Sequence, residues 1–446
     1  MSVSFPKEFV WGTATASYQI EGAVHEDGRS ESIWDRFSRT PGKVANGDTG
    51  DVACDHYHRY PQDIALMKEL GIPAYRLSIA WPRVVPDGKK QVNELGLAFY
   101  DRLIDDLLAA NITPYVTLYH WDLPQVLEDQ GGWLNRDTAD HFVTYTDVIS
   151  RALGDRVKNW MTFNEPLCTA YLGYGIGVHA PGIVDMTFAK AVTASHVVNL
   201  AHGKAVRVLR ENVPDAQVGI VLNMSPAYPY TDSEADRQAA RMNDAANNRW
   251  FADPVLKGEY PPEVLEFMGA NAPKIEAGDM DIIHVPLDFL GINYYFRTVV
   301  AASSDPNNHV GDVVQLPNVE RTAMDWEIYP DGLRVLLERV HRDYDVKAIY
   351  ITENGCAMPD VVDAQGEVHD PRRIQYLHDH FAAVKKAIDA GVPVKGYFAW
   401  SLMDNFEWSY GYDRRFGIIH VDYATQKRIP KDSFAWFKSV IQQNGF

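Results

Sequence analysis

Residues 157–166 read VKNWMTFNEP, and residues 347–355 read KAIYITENG. Each is a short apolar run that stops at a glutamate, Glu165 after Asn164 and Glu353 before Asn354. Runs of this length, rich in aromatic and β-branched residues, suit strands better than helices. Working outward, six more can be marked: Phe9–Ala14, Ala74–Ile79, Thr113–Leu118, Val218–Leu222, Phe289–Ile292 and Gly396–Trp400. With Val157–Phe163 and Ala348–Ile351 they make eight. Between them, Tyr60–Leu70, Leu97–Ala110, Ala139–Leu153, Ala189–Arg210 and Gly332–Val340 space their apolar residues at helical intervals. Asp137 is placed to cap the third of these helices. Strands alternating with helices predict an α/β fold, a parallel sheet closed into one (β/α)8 TIM barrel with elaborated βα loops, as a single catalytic domain over residues 1–446. An open doubly wound sheet is the alternative. It would usually carry a glycine-rich phosphate turn after its first strand, where this chain has TATASYQIEG at residues 13–22.

The bulk numbers narrow the function. With 42 Lys+Arg against 60 Asp+Glu, the net charge of −18 opposes binding to nucleic acid or to an anionic membrane surface. The three cysteines, Cys54, Cys168 and Cys356, are too few and too scattered for a disulfide framework or a structural zinc site, and fit a reducing compartment. The N-terminus shows no secretory pattern. The longest uncharged stretch, Pro166–Val184, holds four Gly, two Pro and a His, so it is not a membrane span. The expectation is a cytoplasmic enzyme.

In a barrel, chemistry gathers where strands end. Here those ends supply Gln19, Arg76, His120 with Trp121, Asn164 with Glu165, Asn223, Asn293 with Tyr295, Glu353, and Trp400 followed by Glu407 and Trp408. Glu165 and Glu353 make a carboxyl pair of the kind that cleaves glycosidic bonds, one giving a proton to the leaving oxygen and the other attacking the anomeric carbon. Arg76 and Tyr295 would favour the charged form of Glu353, and Glu165 would then stay protonated nearer neutral pH. A double displacement asks the two carboxyls to face each other about 5 Å apart. Cys168 and Cys356, near the two glutamates, read as packing residues rather than nucleophiles.

Longer motifs carry a resemblance. FVWGTATASYQIEG, SIWDRFSRTPGKV, YRLSIAWPRVVP, TLYHWDLPQ, MTFNEP, LGINYY, YITENG and WSLMDNFEWSYGYDRRFGI occur in the order seen in the family 1 glycoside hydrolases, the group containing the β-glucosidases, and cover essentially the whole chain. The resemblance implies a retaining β-glucosidase of carbohydrate metabolism and cellulose degradation. It would act on terminal non-reducing β-D-glucosyl residues of short oligosaccharides such as cellobiose and of aryl or alkyl glucosides, with side activity on β-galactosides and β-fucosides. It makes Glu165 the acid/base and Glu353 the nucleophile. Gln19, His120, Asn164, Glu407 and Trp408 match the residues that hold the sugar, and Trp400 the aromatic platform beneath it. Arg76 and Tyr295 match the groups beside the nucleophile, with Asn293 next to them, and Trp326 lines the aglycone entrance. The implied partner is a small carbohydrate, with no nucleic acid and no membrane; association into a homo-oligomer is compatible with the sequence but not specified by it. The mechanism needs no cofactor and no metal.

Two other functions share the fold. Thioglucosidases of the family carry Gln at the acid/base position, whereas this chain has Glu165. Phospho-β-glycosidases carry a Ser and a Lys-x-Tyr after the eighth strand, where this chain has NFEWSYGYDRR with Glu407 at the Ser position. A carboxylate there repels a phosphate, and Arg414 and Arg415 are the only nearby counterweight. A catalytically silent carbohydrate-binding barrel is the remaining alternative.

Overall fold

The computed structural model describes residues 3–305 and 307–446. Eight parallel strands close into a barrel: β1 Val10–Ala14, β2 Ala74–Ser78, β3 Thr113–Tyr119, β4 Asn159–Asn164, β5 Gln217–Asn223, β6 Phe289–Asn293, β7 Ile349–Asn354 and β8 Val394–Trp400. The hydrogen-bonded order runs β1-β8-β7-β6-β5-β4-β3-β2, so each strand neighbours its sequence neighbours and β8 closes on β1. The expected (β/α)8 barrel is what forms. Its strands lie within two residues of the predicted runs, except β7, whose C-terminal end runs on through Glu353 to Asn354. There a register shift pairs Glu353 with Asn293 of β6 and keeps the strand going. At its start, β4 begins at Asn159 instead of Val157, because the Val157 amide still donates to the Leu153 carbonyl at 2.8 Å and ends the preceding helix.

The helices pack outside. They include α1 His56–Leu70, α2 Glu94–Ala109, α3 Asp137–Leu153, α4 Ala189–Asn212, α5 Glu234–Asp244, α6 Pro330–Asp343, α7 Pro371–Asp389 and α8 Asp432–Gln443. Asp137 does not cap α3. It is the first helical residue, and its own amide donates to Asn135 Oδ1 at 3.0 Å, so the Asn135 side chain meets that orphan donor and Asp137 supplies only first-turn charge.

Burial explains why the barrel closes. Apolar residues facing out from the strands merge with the inner faces of the helices into one large core, including Val116, Phe163 and Ile220. Inward-facing residues form a second cluster with Tyr115, Met161, Val221, Phe289 and Phe398, which fills the barrel floor. Small residues make room for these rings: a Cβ at Gly12 would strike Phe398, and one at Gly219 would strike Phe289. Trp400, Tyr295 and Trp326 belong to this inner cluster, so the barrel's own packing runs up to its C-terminal mouth. Among the described residues, no helix is long and apolar enough to cross a membrane.

Candidate active site

A cavity of about 570 Å³ opens at the C-terminal mouth. Glu165, Glu353, His120, Asn293, Tyr295, Trp326, Trp400, Glu407 and Trp408, all singled out from sequence, line it. Gln19, Arg76 and Asn164 do not line it. Arg76 stands against Glu353, Gln19 beside Glu407 with its Oε1 left without a partner, and Asn164 beside His120.

Strand irregularities aim the two glutamates. β4 shifts register against β5 between Met161 and Asn164, and β7 shifts against β6 between Ile351 and Glu353. Such bulges re-aim side chains at barrel rims. Glu165 adopts a left-handed backbone, φ 47°, with its amide held by the Val221 carbonyl at 2.9 Å. Pro166 keeps Glu165 out of the right-handed helical region, and a non-glycine residue in left-handed space costs about 1–3 kcal/mol that its surroundings must offset. After Glu353, Gly355 is required by space, because a Cβ there would collide with the Trp400 carbonyl oxygen.

The two carboxyls have unlike partners. Glu353 Oε1 accepts from Arg76 Nη1 at 2.6 Å, and Oε2 accepts from the Tyr295 hydroxyl at 2.7 Å. Arg76 is itself fixed, donating to Thr117 Oγ1 at 3.2 Å, to the Thr352 carbonyl at 3.1 Å and to Asn164 Oδ1 at 2.8 Å. Glu165 meets no cation. Its Oε1 accepts from Asn293 Nδ2 at 2.7 Å, and its Oε2 lies 3.0 Å from Cys168 Sγ. Burial pushes both carboxyls up from the ordinary range. For Glu353 the Arg76 charge and the Tyr295 hydrogen bond act against that push, so burial outweighs the sequence expectation without cancelling it. For Glu165, burial and then the Glu353 charge carry it to about 7. The pair is therefore unequal, with Glu353 favoured as the anion and Glu165 as the proton carrier.

Around the pair lies a third carboxyl and an aromatic wall. Glu407 is pushed up to about 8, first by burial and then by the charges of Glu353 and Glu165, so in the open pocket it can donate as well as accept. Gln19 Nε2 reaches Asn405 Oδ1 and the Phe406 carbonyl at 2.9 Å each, and Glu407 Oε2 at 3.5 Å, which fixes that loop. Asn164 Oδ1 accepts from Arg76 and Asn293, so its amide nitrogen faces His120 Nε2 at 3.1 Å and the imidazole proton sits on Nδ1. Burial, and then the Arg76 charge, hold His120 neutral. Its ring lies nearly parallel to those of Trp400 and Trp408, centroids 5.9 and 6.0 Å away. Trp121 donates Nε1–H to the Asn164 carbonyl at 3.0 Å and packs on Trp408 at 4.5 Å. Flat faces and convergent donors in one pit suit a sugar ring.

Sequence reasoning missed the outer pocket: Leu172, Val178, His179, Phe296, Met324 and Tyr410. They come from βα loops without periodicity, which leaves no local signal. Cys168 is buried, but it also touches Glu165, a contact its packing assignment did not foresee. Arg415 is structural, donating to Asp404 Oδ2 at 2.6 Å and to the Val421 carbonyl at 3.0 Å. Arg414 lies over the Tyr410 ring, 4.9 Å from its centroid. Neither arginine lines the cavity, so neither offers it a phosphate-binding cation.

A closed barrel whose mouth holds an unequal carboxyl pair beside an aromatic-walled pit is the layout of a glycoside-cleaving enzyme. The sequence profile of Glycosyl hydrolase family 1 matches residues 1–446, and the chain belongs to that family. Beta-glucosidase A of Acetivibrio thermocellus is 49% identical over 100% of this chain and 99% of its own length. A bifunctional beta-D-glucosidase/beta-D-fucosidase of Bifidobacterium breve is 44% identical over 99% of both. A solved structure of the family 1 β-glucosidase from Thermotoga maritima, in complex with isofagomine lactam, superposes with a TM-score of 0.97 at 49% identity and full coverage of both chains.

Proposed function

We propose that this chain, as one catalytic domain, hydrolyses terminal non-reducing β-D-glucosyl residues by double displacement. Its substrates are short β-gluco-oligosaccharides and aryl or alkyl β-glucosides, with side activity on β-fucosides and β-galactosides. The observation that carries this is the inequality of the two glutamates: Glu353 between Arg76 and Tyr295, Glu165 among neutral donors. Family membership and the relatives' printed activities support the glucoside substrate.

In the first step Glu353 attacks the anomeric carbon while Glu165 protonates the leaving oxygen. Arg76 and Tyr295 keep the attacking carboxylate ionised, and its bond to the sugar forms as the aglycone leaves as the alcohol. In the second step Glu165, now anionic, takes a proton from water, which attacks the glycosyl-enzyme and frees Glu353. Trp400, Trp408 and His120 hold the ring, and Gln19, Asn164 and Glu407 bind its hydroxyls, with the buried Gln19 Oε1 free to accept one. A cytoplasmic setting is part of the proposal; three unpaired, buried cysteines support it.

Glu165→Gln and Glu353→Ala test the roles. Glu165→Gln should cut hydrolysis of an alkyl glucoside about 10²–10⁴-fold while sparing the first step on a nitrophenyl glucoside, whose leaving group needs no proton. Glu353→Ala should abolish turnover of both. Equal losses of kcat/KM, which reads the first step, in Glu165→Gln on the two substrates, or activity retained in Glu353→Ala, overturn the assignment. A clear preference for the 6-phosphorylated glucoside would overturn the substrate class.

A further inference from the structure

Cys168 stands three residues after Glu165 and opens the π-turn Cys168–Leu172. The turn folds back on the glutamate. The Cys168 amide donates to the Glu165 carbonyl at 3.0 Å, and Sγ reaches Glu165 Oε2 at 3.0 Å. From the end of β5, Asn223 Nδ2 approaches the same sulfur at 3.7 Å.

The rest of the network says what that contact does. The Thr352 hydroxyl donates to Asn293 Oδ1 at 2.7 Å, which turns the Asn293 amide nitrogen toward Glu165 Oε1 at 2.7 Å and Asn164 Oδ1 at 3.0 Å. The amide N–H is a stronger donor than the thiol, so it holds Oε1 as the carbonyl oxygen of the protonated carboxyl. The transferable proton of Glu165 therefore belongs on Oε2, the oxygen that rests against the thiol.

We infer that Cys168 is a positioning residue for the acid/base: its thiol fixes Oε2 of Glu165, directs the proton on it, and donates S–H to the carboxylate once that proton has left. Asn223 donates to the sulfur and so leaves the S–H to face the carboxyl. The thiol stays protonated throughout, since burial and the Glu165 charge push it well above its ordinary value. It is thus a donor, not a nucleophile. This rests on Glu165 being the acid/base.

Other ionisable groups surround Glu165: Glu353 from β7, Glu407 from the loop after β8, Tyr295 after β6, His120 after β3 and His179 from the loop after β4 line the same cavity, and Arg76 from β2 stands against Glu353. None of them is changed in a Cys168 variant, so a displaced pH limb reports the thiol.

The test is kcat/KM against pH for C168A, C168V and C168S in the full chain, on a nitrophenyl and an alkyl β-glucoside, with E165Q alongside and thermal melts as a check of folding. Losing a weak donor to the carboxylate should move the basic limb up by about half a pH unit in C168A. C168V fills the volume without a donor and should do the same. Both should lose about tenfold more on the alkyl than on the nitrophenyl substrate, because a misdirected proton hurts the poorer leaving group. C168S restores a donor and should return the limb to the wild-type position or below it. Profiles of C168A and C168V that superimpose on wild type, or a C168S that behaves like C168A, overturn the inference. If E165Q leaves the alkyl rate unchanged, the acid/base assignment itself fails; if E165Q destroys it while C168A changes nothing, only the thiol's role fails.

Discussion

Removing the Tyr295 hydroxyl would show how the nucleophile is kept ionised. That hydroxyl donates to Glu353 Oε2 at 2.7 Å, while Arg76 holds the other oxygen at 2.6 Å. In Tyr295→Phe the ring stays and one hydrogen bond to a buried carboxylate goes. Such a bond contributes about 1.5–3 kcal/mol, and one pKa unit is about 1.4 kcal/mol, so Glu353 should titrate about 1–2 units higher. The sign follows from which form the bond favours. The hydroxyl stabilises the anion, so its loss raises the pKa, and the acid limb of kcat/KM moves to higher pH. Glu165 gives up its proton at about 7, so the active window narrows from below and its maximum falls. The assay is kcat/KM on a nitrophenyl β-glucoside from about pH 4 to about pH 9, with circular dichroism to show that the variant is folded. An acid limb that stays in place, or moves down, refutes the reasoning.

Other substitutions probe the mouth and the shell. Trp326 packs on Tyr295 at 5.1 Å and Phe296 at 5.2 Å. Trp326→Ala should raise KM for an aryl glucoside about 3- to 10-fold through lost stacking, with a smaller effect on methyl β-glucoside; steady-state kinetics on the two substrates decide. Arg373 is buried, pairs with Asp360 at 2.7 Å and with Asp370, and donates to the Arg415 carbonyl at 2.8 Å. Arg373→Met leaves Asp370 with no cation, only the Ser433 donors, and Asp360 with Lys431 alone, and should cost about 3–5 kcal/mol of stability, seen as a lower Tm in calorimetry.

The barrel and its catalytic pair were legible because both depend on local pattern. Each strand is a short apolar run; β4 ends at Asn164 with Glu165 next, and β7 ends in Glu353-Asn354, where an α/β barrel puts its chemistry. Helix α7 was harder to see, because Arg373 and His380 sit on its buried face and interrupt the apolar stripe. The cap of α3 was misplaced by one residue, since the cap position is Arg136, and Asn135 reaches the Asp137 amide from outside the helix. Leu172, Val178, Phe296, Met324 and Tyr410 meet only because loops after different strands converge at the mouth. Cys168 next to NEP looked like filler, since its partner is chosen by the fold of the π-turn. Gln19, Arg76 and Asn164 were found as site residues, but the bonds by which they meet Glu407, Glu353 and His120 are set by the fold and not by spacing.

The account stands on Glu353 as the atom that bonds the sugar. Incubation with an activated 2-deoxy-2-fluoro-β-glucoside, whose glycosyl-enzyme hydrolyses slowly, followed by proteolysis and mass spectrometry, reads that bond directly. One 2-fluoroglucosyl group on the peptide bearing Glu353 is the predicted result. Label on another residue, or no label while the substrate is consumed with inversion at the anomeric carbon, would contradict it.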